Sequence, residues 1–440
     1  MSAPNELKRT LTPLMLWGLG VGYVISGMYF GWNLGLKEGG TLGLAIATVF
    51  IIIMYVTFTF SYTELACAIP RAGGGFDYAN RALGKDWGFI AGMAQNVEFI
   101  FAPPAIAFAI GAYFNLFFPQ IPVLAIAIAA FVVFTALNIY GVKAAASFEL
   151  LITVFAVGEL LLFAGVSLPQ FEMKNLRHNA FPNGWQGIFA AIPSAIWFFL
   201  AIEGVANVAE EAINPKRTMI LGFGSAILTL VILCVLVFIS SIGVAGWEAI
   251  VYKSPGETSD SPLPLALGHI VDKKNILFKL LVTIGLFGLV ASFHGIILAA
   301  GRASFEFGRI KYGPSFIGKI HSRFKTPAMA LLVNSAIGIV TLLLLNKKTL
   351  DIIVISVFGA LTLYIISMIS LLRLRRTEPG LERPFKVPLY PFFPVVALVI
   401  AVVSIIAMAY YNQKPALIFL CIIAGCYIGF KLFHKNTANN

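Results

Sequence analysis

The chain has 440 residues, of which 59% are hydrophobic and only 12% are charged, and its mean hydropathy is +0.89. Soluble domains carry roughly 25% charged residues, so this composition excludes a soluble globular protein and indicates an integral membrane protein. Apolar runs of about 20 residues recur along the chain, which favours helices over a β-barrel. The net charge of +11 is attributed to lysine and arginine in cytoplasmic loops and not to nucleic-acid binding.

The apolar runs predict twelve membrane-spanning helices, which we number spans 1 to 12. Their predicted ranges are 13–36, 41–69, 87–117, 121–141, 146–168, 187–210, 218–246, 276–302, 328–346, 349–372, 390–411 and 415–433. Residues 1–12 and 434–440 are then short cytoplasmic termini. This orientation places 21 of the 31 lysines and arginines on the cytoplasmic side, as expected for a multi-pass protein of a plasma or inner membrane.

Span 1 carries the signals of an interrupted helix. Five glycines fall within residues 17–31, and each weakens a helix by about 1 kcal/mol relative to alanine. Ser26-Gly27 and Gly31 are therefore the predicted interruption points. A broken helix exposes carbonyl groups that bind cations and N–H groups that bind anions, so a substrate with a carboxylate remains open.

Span 6 carries a second predicted interruption, at Glu203-Gly204. Interrupted helices at matching positions of two five-helix halves indicate a transporter with inverted repeats. The predicted domains are a first repeat over 13–168, a second repeat over 187–372, and helices 11 and 12 over 390–433.

Three carboxylates lie well inside predicted spans: Glu98 in span 3, Glu159 in span 5 and Glu203 in span 6. A charge at the bilayer centre costs on the order of 2.5–3.5 kcal/mol on insertion scales, and such residues usually have functional roles. For each, the alternative is a neutral acid held by hydrogen bonds. Glu64 and Glu149 lie nearer the cytoplasmic ends, and we predict that they pair with loop arginines.

Aromatic and small residues beside the predicted breaks complete the substrate-site candidates. Aromatic faces attract ammonium groups with roughly 0.5–2 kcal/mol per ring, although packing is the alternative role for each ring. The candidates beyond the acids are Ile25, Ser26, Gly27, Tyr29, Phe30, Trp197, Phe198 and Ala201.

His294 in span 8 is the histidine that lies deep in a predicted span. Histidine titrates near neutral pH, so His294 and Glu203 are the candidates for proton coupling and gating, with a hydrogen-bonded packing role as the alternative for His294. The four cysteines lie in apolar runs without metal-type spacing, so we predict neither a metal site nor a cofactor.

Several stretches occur in the order found in a known transporter superfamily. They are residues 25–29, 60–78, 214–217, 302–327 and 383–388. In these stretches the chain resembles the amino acid–polyamine–organocation transporters. The resemblance implies an all-α membrane protein with a leucine-transporter-like 5+5 inverted repeat, broken helices 1 and 6, and transport by alternating access.

Within that superfamily, residues 14–27 and 98–107 resemble the ethanolamine permeases. This resemblance implies import of ethanolamine or a closely similar small amine, coupled to protons. Ethanolamine is a cation without a carboxylate, so its site needs acceptors for an ammonium group.

The resemblance also implies roles for individual residues. Glu203 matches a proton-sensitive gate position of related exchangers, and Trp197 matches an aromatic that covers their substrate. Some proton-coupled relatives carry a lysine in span 5, where this chain has Ala156, with Glu159 one turn further on. Ser292 lies where sodium-coupled relatives use a hydroxyl ligand, which makes it a weak sodium candidate.

Two other functions remain open from the sequence. One is an amino-acid or polyamine transporter or exchanger of the same superfamily, and the other is a membrane receptor that binds an amine without moving it. A nucleotide-driven pump is disfavoured because the chain has no GxxxxGK[ST] motif. An enzyme is disfavoured because the chain has no His-Glu-x-x-His pair.

Overall fold

The computed structural model describes residues 10–71, 73–140, 145–346 and 348–438. The predicted cytoplasmic residues Lys8, Arg9 and Lys143 lie outside these ranges, as do the first nine residues of the predicted N-terminal segment and the last two of the C-terminal one.

The described chain folds into twelve spans in the predicted order, which confirms the all-α membrane architecture. Ten helical segments are long and apolar enough to cross a membrane, and two shorter apolar helices begin at Pro13 and Ala328. The spans are Pro13–Val24 with Ser26–Tyr29 (span 1), Leu36–Ala68, Lys85–Asn115, Val123–Tyr140, Ala145–Ser167, Gly184–Trp197 with the 3-10 helix Ile202–Glu211 (span 6), Pro215–Ala245, Ile276–Arg309, Ala328–Leu344, Thr349–Thr377, Phe392–Tyr411 and Gln413–Ala438.

Short elements connect the spans. Span 1 continues into a 3-10 turn, and Leu36–Ala68 is bent at Gly40, where φ is +61°. The described strands are confined to one antiparallel hairpin between spans 7 and 8. The connecting elements are Trp32–Gly35, Gly75–Leu83, Leu168–Gln170, Met173–Arg177, Glu248–Val251, Tyr252–Ser254, Glu257–Thr258 and Pro262–Leu267.

Spans 3, 6 and 10 form the centre of the bundle. In their most apolar stretches, 78%, 89% and 83% of the residues are buried, against 28% in span 4 and 22% in span 12. Small residues let the central helices approach closely: Gly359 of span 10 packs against the backbone of Ala94 and Glu98 in span 3. The acids predicted on spans 3 and 6 therefore lie at the most enclosed part of the molecule.

Helix packing follows a pairing between the first five spans and the next five. Span 1 packs on span 7, as span 6 packs on span 2. Span 3 packs on span 10, as span 8 packs on span 5, and spans 4 and 9 pack on each other. Exchanging each span with the one five places later maps these contacts onto one another. This matching supports the division into the repeats 13–168 and 187–372, which we retain as a proposal.

The loop between spans 7 and 8 folds onto the ends of spans 1 and 10. The Asn33 side chain donates hydrogen bonds to the carbonyls of Ile250 (3.2 Å) and Ser259 (2.9 Å). The Thr349 hydroxyl, at the start of span 10, donates to Asp260 Oδ2 at 2.9 Å. Burial raises the pKa of the Asp260 carboxyl to about 6, although the Thr349 hydrogen bond and the charge of Lys253 lower it.

This raised pKa predicts a pH-dependent stability. The folded protein favours protonated Asp260, so the contribution is complete below a pH of about 4 and is lost as pH rises through about 6. We expect the melting temperature of the purified protein to fall over that window, and Asp260→Asn to remove most of the fall. Asp272→Asn, in the exposed part of the same loop, should behave as the wild type. A full pH dependence in Asp260→Asn would contradict this assignment.

Candidate functional site

Span 1 leaves helical geometry at Phe30 and Gly31. Phe30 is extended, with φ −162° and ψ 174°, and Gly31 has φ +85°, a conformation that favours glycine. The predicted interruption at Gly31 is therefore confirmed. At the other predicted point, Ser26-Gly27, the span divides one residue earlier, at Ile25, into Pro13–Val24 and Ser26–Tyr29, but the backbone keeps helical angles there. A glycine weakens a helix but does not by itself end it.

Span 6 leaves helical geometry earlier than predicted. The helix ends at Trp197, and Ala201 takes the left-handed conformation with φ +76°. Glu203 and Gly204 lie beyond this turn, in a 3-10 helix in which the Gly204 N–H bonds to the Ala201 carbonyl at 3.1 Å. The predicted break at Glu203-Gly204 is therefore wrong by a few residues, because an alanine rather than the glycine makes the turn.

The two breaks pack directly on each other. A Cβ at Gly27 would collide with the Trp197 carbonyl and approach Phe198 Cα to 3.1 Å, and one at Gly31 would lie 2.5 Å from the Trp197 ring. The Phe30 and Trp197 rings meet edge to face with centroids 5.4 Å apart. The Trp197 Nε1 is buried without a hydrogen-bond partner in the described chain, so it is a free donor beside the breaks.

The remaining predicted aromatic residues have specific partners. Phe198 stacks on Trp32 with centroids 5.3 Å apart, so one of its faces is already covered. Ile25 is fully buried and remains in right-handed helical geometry, with its N–H bonded to the Val21 carbonyl. Through these contacts, Ile25 and Phe198 pack within the protein beside the two helix breaks.

Glu98 and Glu203 form a pair of adjacent buried carboxyl groups. Each is 0% exposed, and the two side chains interact directly. The Tyr364 hydroxyl donates to Glu203 Oε2 at 2.6 Å, and the Tyr55 hydroxyl lies 3.3 Å from that of Tyr364. In the described ranges, no lysine, arginine or histidine forms an ion pair with either acid.

The chemistry of this pair follows from its burial. Two carboxyl groups in contact and away from water do not both stay ionised, so at least one of them is protonated. If the other ionises, no described basic side chain is paired with it. Such a site suits a monovalent cation that supplies hydrogen-bond donors.

Glu159 lies in a separate cluster. The Tyr29 hydroxyl donates to Glu159 Oε2 at 2.7 Å and lies 3.1 Å from the Ala156 carbonyl. Tyr113 donates to the Tyr29 carbonyl at 3.1 Å. The structure therefore does not bring Glu159 into contact with Glu98 and Glu203, and it occupies the side of the bundle that faces the loop between spans 7 and 8.

Two small pockets lie on either side of the carboxyl pair. Glu159 and Tyr113 line one of them together with residues of the loop helix Pro262–Leu267, and Gln95 and Asn207 line the other. Glu98 and Glu203 line neither of these two pockets.

The predicted sodium candidate is engaged within the protein. The Ser292 hydroxyl donates to the Tyr23 carbonyl at 2.5 Å and lies 2.8 Å from the Ser26 hydroxyl. These bonds tie span 8 to the middle of span 1. Among the described residues, no group of three histidine, cysteine or acidic side chains is placed to hold a metal ion.

The two acids near the helix ends differ in their partners. Glu64 contacts Arg375 at 2.7 Å and Arg383 at 3.3 Å, as predicted. Glu149 was predicted to pair with a loop arginine, and this is wrong: its Oε2 lies 3.6 Å from His294 Nδ1. Span 8 packs on span 5 so that His294 lies beside Glu149. The sequence of span 5 gives no sign of this neighbour.

Sequence reasoning missed the tyrosines that surround the acids. Tyr55, Tyr113 and Tyr364 are each at most 1% exposed and are linked to the buried carboxyls directly or through another tyrosine. Tyrosine is common in apolar spans and gives neither a charge signal nor a spacing signal. Only the assembled bundle identifies these three.

Comparison with known proteins gives a consistent result over the whole chain. The family model described as "Amino acid permease" matches residues 11–427. An uncharacterized transporter of Rhizobium meliloti (strain 1021) is 27% identical over 98% of this chain and 94% of its own length. A branched-chain amino acid permease of Bacillus subtilis (strain 168) is 24% identical over 100% of this chain and 96% of its own length. A low-affinity putrescine importer of Escherichia coli (strain K12) is 24% identical over 82% of this chain and 79% of its own length.

Proposed function

Because the chain belongs to the amino acid permease family of membrane transporters, we propose that it imports ethanolamine or a closely similar small amine by proton-coupled alternating access. Permeases of this family are transporters and not enzymes. Members of this family transport small amino-acid or amine substrates. Our proposal for this chain adds that the substrate is an amine, that protons drive its transport, and that the direction is import.

The observation that carries the proposal is that the buried acids Glu98 and Glu203 have no basic partner in the described chain. An amino-acid substrate brings a carboxylate, which would lie near these acids and be repelled. An amine without a carboxylate supplies the missing positive charge and up to three N–H donors. We propose that Glu98 accepts from the ammonium and that Glu203 holds the proton of the pair. The free Trp197 N–H would donate to the substrate hydroxyl.

A diamine is the second candidate. The buried acids fall into two clusters, Glu98 with Glu203 and Glu159 with its tyrosines, so a substrate with two ammonium groups would find two acceptors. The similarity to a putrescine importer is compatible with this alternative. Ethanolamine is favoured because Glu159 is already bonded to Tyr29.

The membrane orientation is part of the same proposal. We place both termini in the cytoplasm of a plasma or inner membrane, because the loops on that side carry most of the lysines and arginines. The loop between spans 7 and 8 is then extracellular. The pocket lined by Gln95 and Asn207 faces the cytoplasm, and import would release the amine through it.

An exchange panel in proteoliposomes tests the substrate. We expect labelled ethanolamine inside the vesicles to exchange against external ethanolamine, with putrescine weaker and alanine inactive. A receptor that does not transport would bind ethanolamine without exchange. Exchange of amino acids in the absence of ethanolamine exchange would contradict the proposed substrate.

A further inference from the structure

A second buried titratable pair lies where spans 1, 5 and 8 meet. Glu149 and His294 are 2% and 9% exposed, and their nearest ring nitrogen and carboxyl oxygen are 3.6 Å apart. Glu149 Oε1 and His294 Nδ1 have no hydrogen-bond partner in the described chain. The pair therefore differs from a structural contact in which every polar atom is bonded.

The surroundings of this pair offer no spare compensating charge. Phe134 of span 4 meets the His294 ring at 6.2 Å, and Asn138 donates to the His294 carbonyl at 3.3 Å. Tyr23 of span 1 is the titratable group of the described chain that lies beside Glu149. Arg302 and Glu211, which also lie near Tyr23, are paired with each other at 3.2 Å.

We propose that Glu149 and His294 form a binding site for the driving proton, which takes up one proton each time it is buried. With an ionised carboxylate and a neutral imidazole, the pair carries one negative charge. When they are buried, a lone carboxylate charge is costly. One proton on the imidazole or on the carboxyl makes the pair neutral overall, so burial takes up a proton and hydration releases it.

The position of Glu149 connects this proton to the substrate site. Its Oε1 lies 2.6 Å from the position that a Cβ would take on Gly22 and 3.2 Å from the corresponding position on Gly295, so it occupies the space that these two glycines leave open. Gly22 belongs to span 1, whose break packs on span 6 beside Glu203. A movement of span 1 that exposes Glu149 and His294 to water would therefore also move the break of span 1 at the substrate site. This inference rests on the proposed function and deepens it, because it separates the driving proton from the one held by the Glu98–Glu203 pair.

The test compares two transport modes of the full-length protein in proteoliposomes. Ethanolamine counterflow is measured without a pH gradient, and ethanolamine accumulation is measured with an imposed proton gradient. We expect Glu149→Gln and His294→Gln to keep counterflow within about twofold of the wild type and to lower gradient-driven accumulation by about tenfold or more. His178→Gln, an exposed loop histidine, is the control and should keep both activities.

Each other outcome has a defined meaning. Equal stimulation by the proton gradient in the wild type and both variants would overturn the inference. Loss of counterflow in both variants would also overturn it, because the pair would then be needed for translocation itself. A wild type that shows counterflow but no accumulation driven by the proton gradient would overturn it as well. Absence of amine counterflow in the wild type would instead refute the proposed function.

Discussion

Replacing both Glu98 and Glu203 by glutamine is expected to abolish saturable ethanolamine uptake, whereas either single replacement should leave it measurable. In the proposed mechanism, one carboxyl of the pair stays protonated and the other offers one negative charge to the substrate. A single glutamine leaves the other carboxyl free to ionise against the ammonium. The double variant has no carboxylate left for the ammonium. Leaving a buried ammonium without its charged partner costs about 2–5 kcal/mol, which corresponds to roughly 30-fold or more in uptake efficiency.

The four proteins of this double-mutant cycle should be measured together. We expect each single variant to lose about tenfold or less, so that the cycle is strongly non-additive. Glu172→Gln, an exposed acid of the loop between spans 5 and 6, controls for expression and vesicle insertion and should match the wild type. Uptake by the double variant at the level of the single variants would rule out this pair as the ammonium acceptor.

Gly27→Ala is expected to reduce transport severely while the protein still inserts into the membrane. The added Cβ would collide with the Trp197 carbonyl, so spans 1 and 6 could not keep their contact. Overpacking a tight interior costs about 1–3 kcal/mol, which corresponds to roughly 5- to 150-fold if it falls on the transport-competent arrangement. Initial rates in proteoliposomes, normalised to inserted protein, measure the effect.

A matched glycine separates this clash from a general effect of alanine. Gly165 of span 5 has no atom within 4 Å of its Cβ position, and alanine favours helix by about 1 kcal/mol over glycine. Gly165→Ala should therefore keep wild-type transport and a similar or higher melting temperature. If Gly27→Ala transports as well as Gly165→Ala, the two breaks are not packed as described.

The spans were predictable from the sequence because their length and apolar character are local properties. Span 4, predicted over 121–141, is Val123–Tyr140, and the shorter span 9 was found in the same way. The break in span 1 was predicted at the right residue, Gly31, whereas the break in span 6 was predicted a few residues too late. The end of the span 6 helix, at Trp197 and Phe198, packs against Gly27 of another span, and no local signal reports this contact.

The site was predictable only in its parts. Each buried acid could be identified because a carboxylate in an apolar run is rare and costly. Their grouping could not, because Glu98 meets Glu203 while Glu159 is bonded to Tyr29, and spacing along the chain does not encode these contacts. Tyr364 gave no signal at all, since its role arises only when span 10 packs beside the break of span 6.

The most direct test of the account is an experimental structure of the protein with bound ethanolamine. The account predicts the ammonium group in contact with the Glu98 and Glu203 carboxyls, beside the turn at Ala201, and the hydroxyl oriented toward Trp197. Ethanolamine bound only at Glu159, or away from both acid clusters, would contradict it.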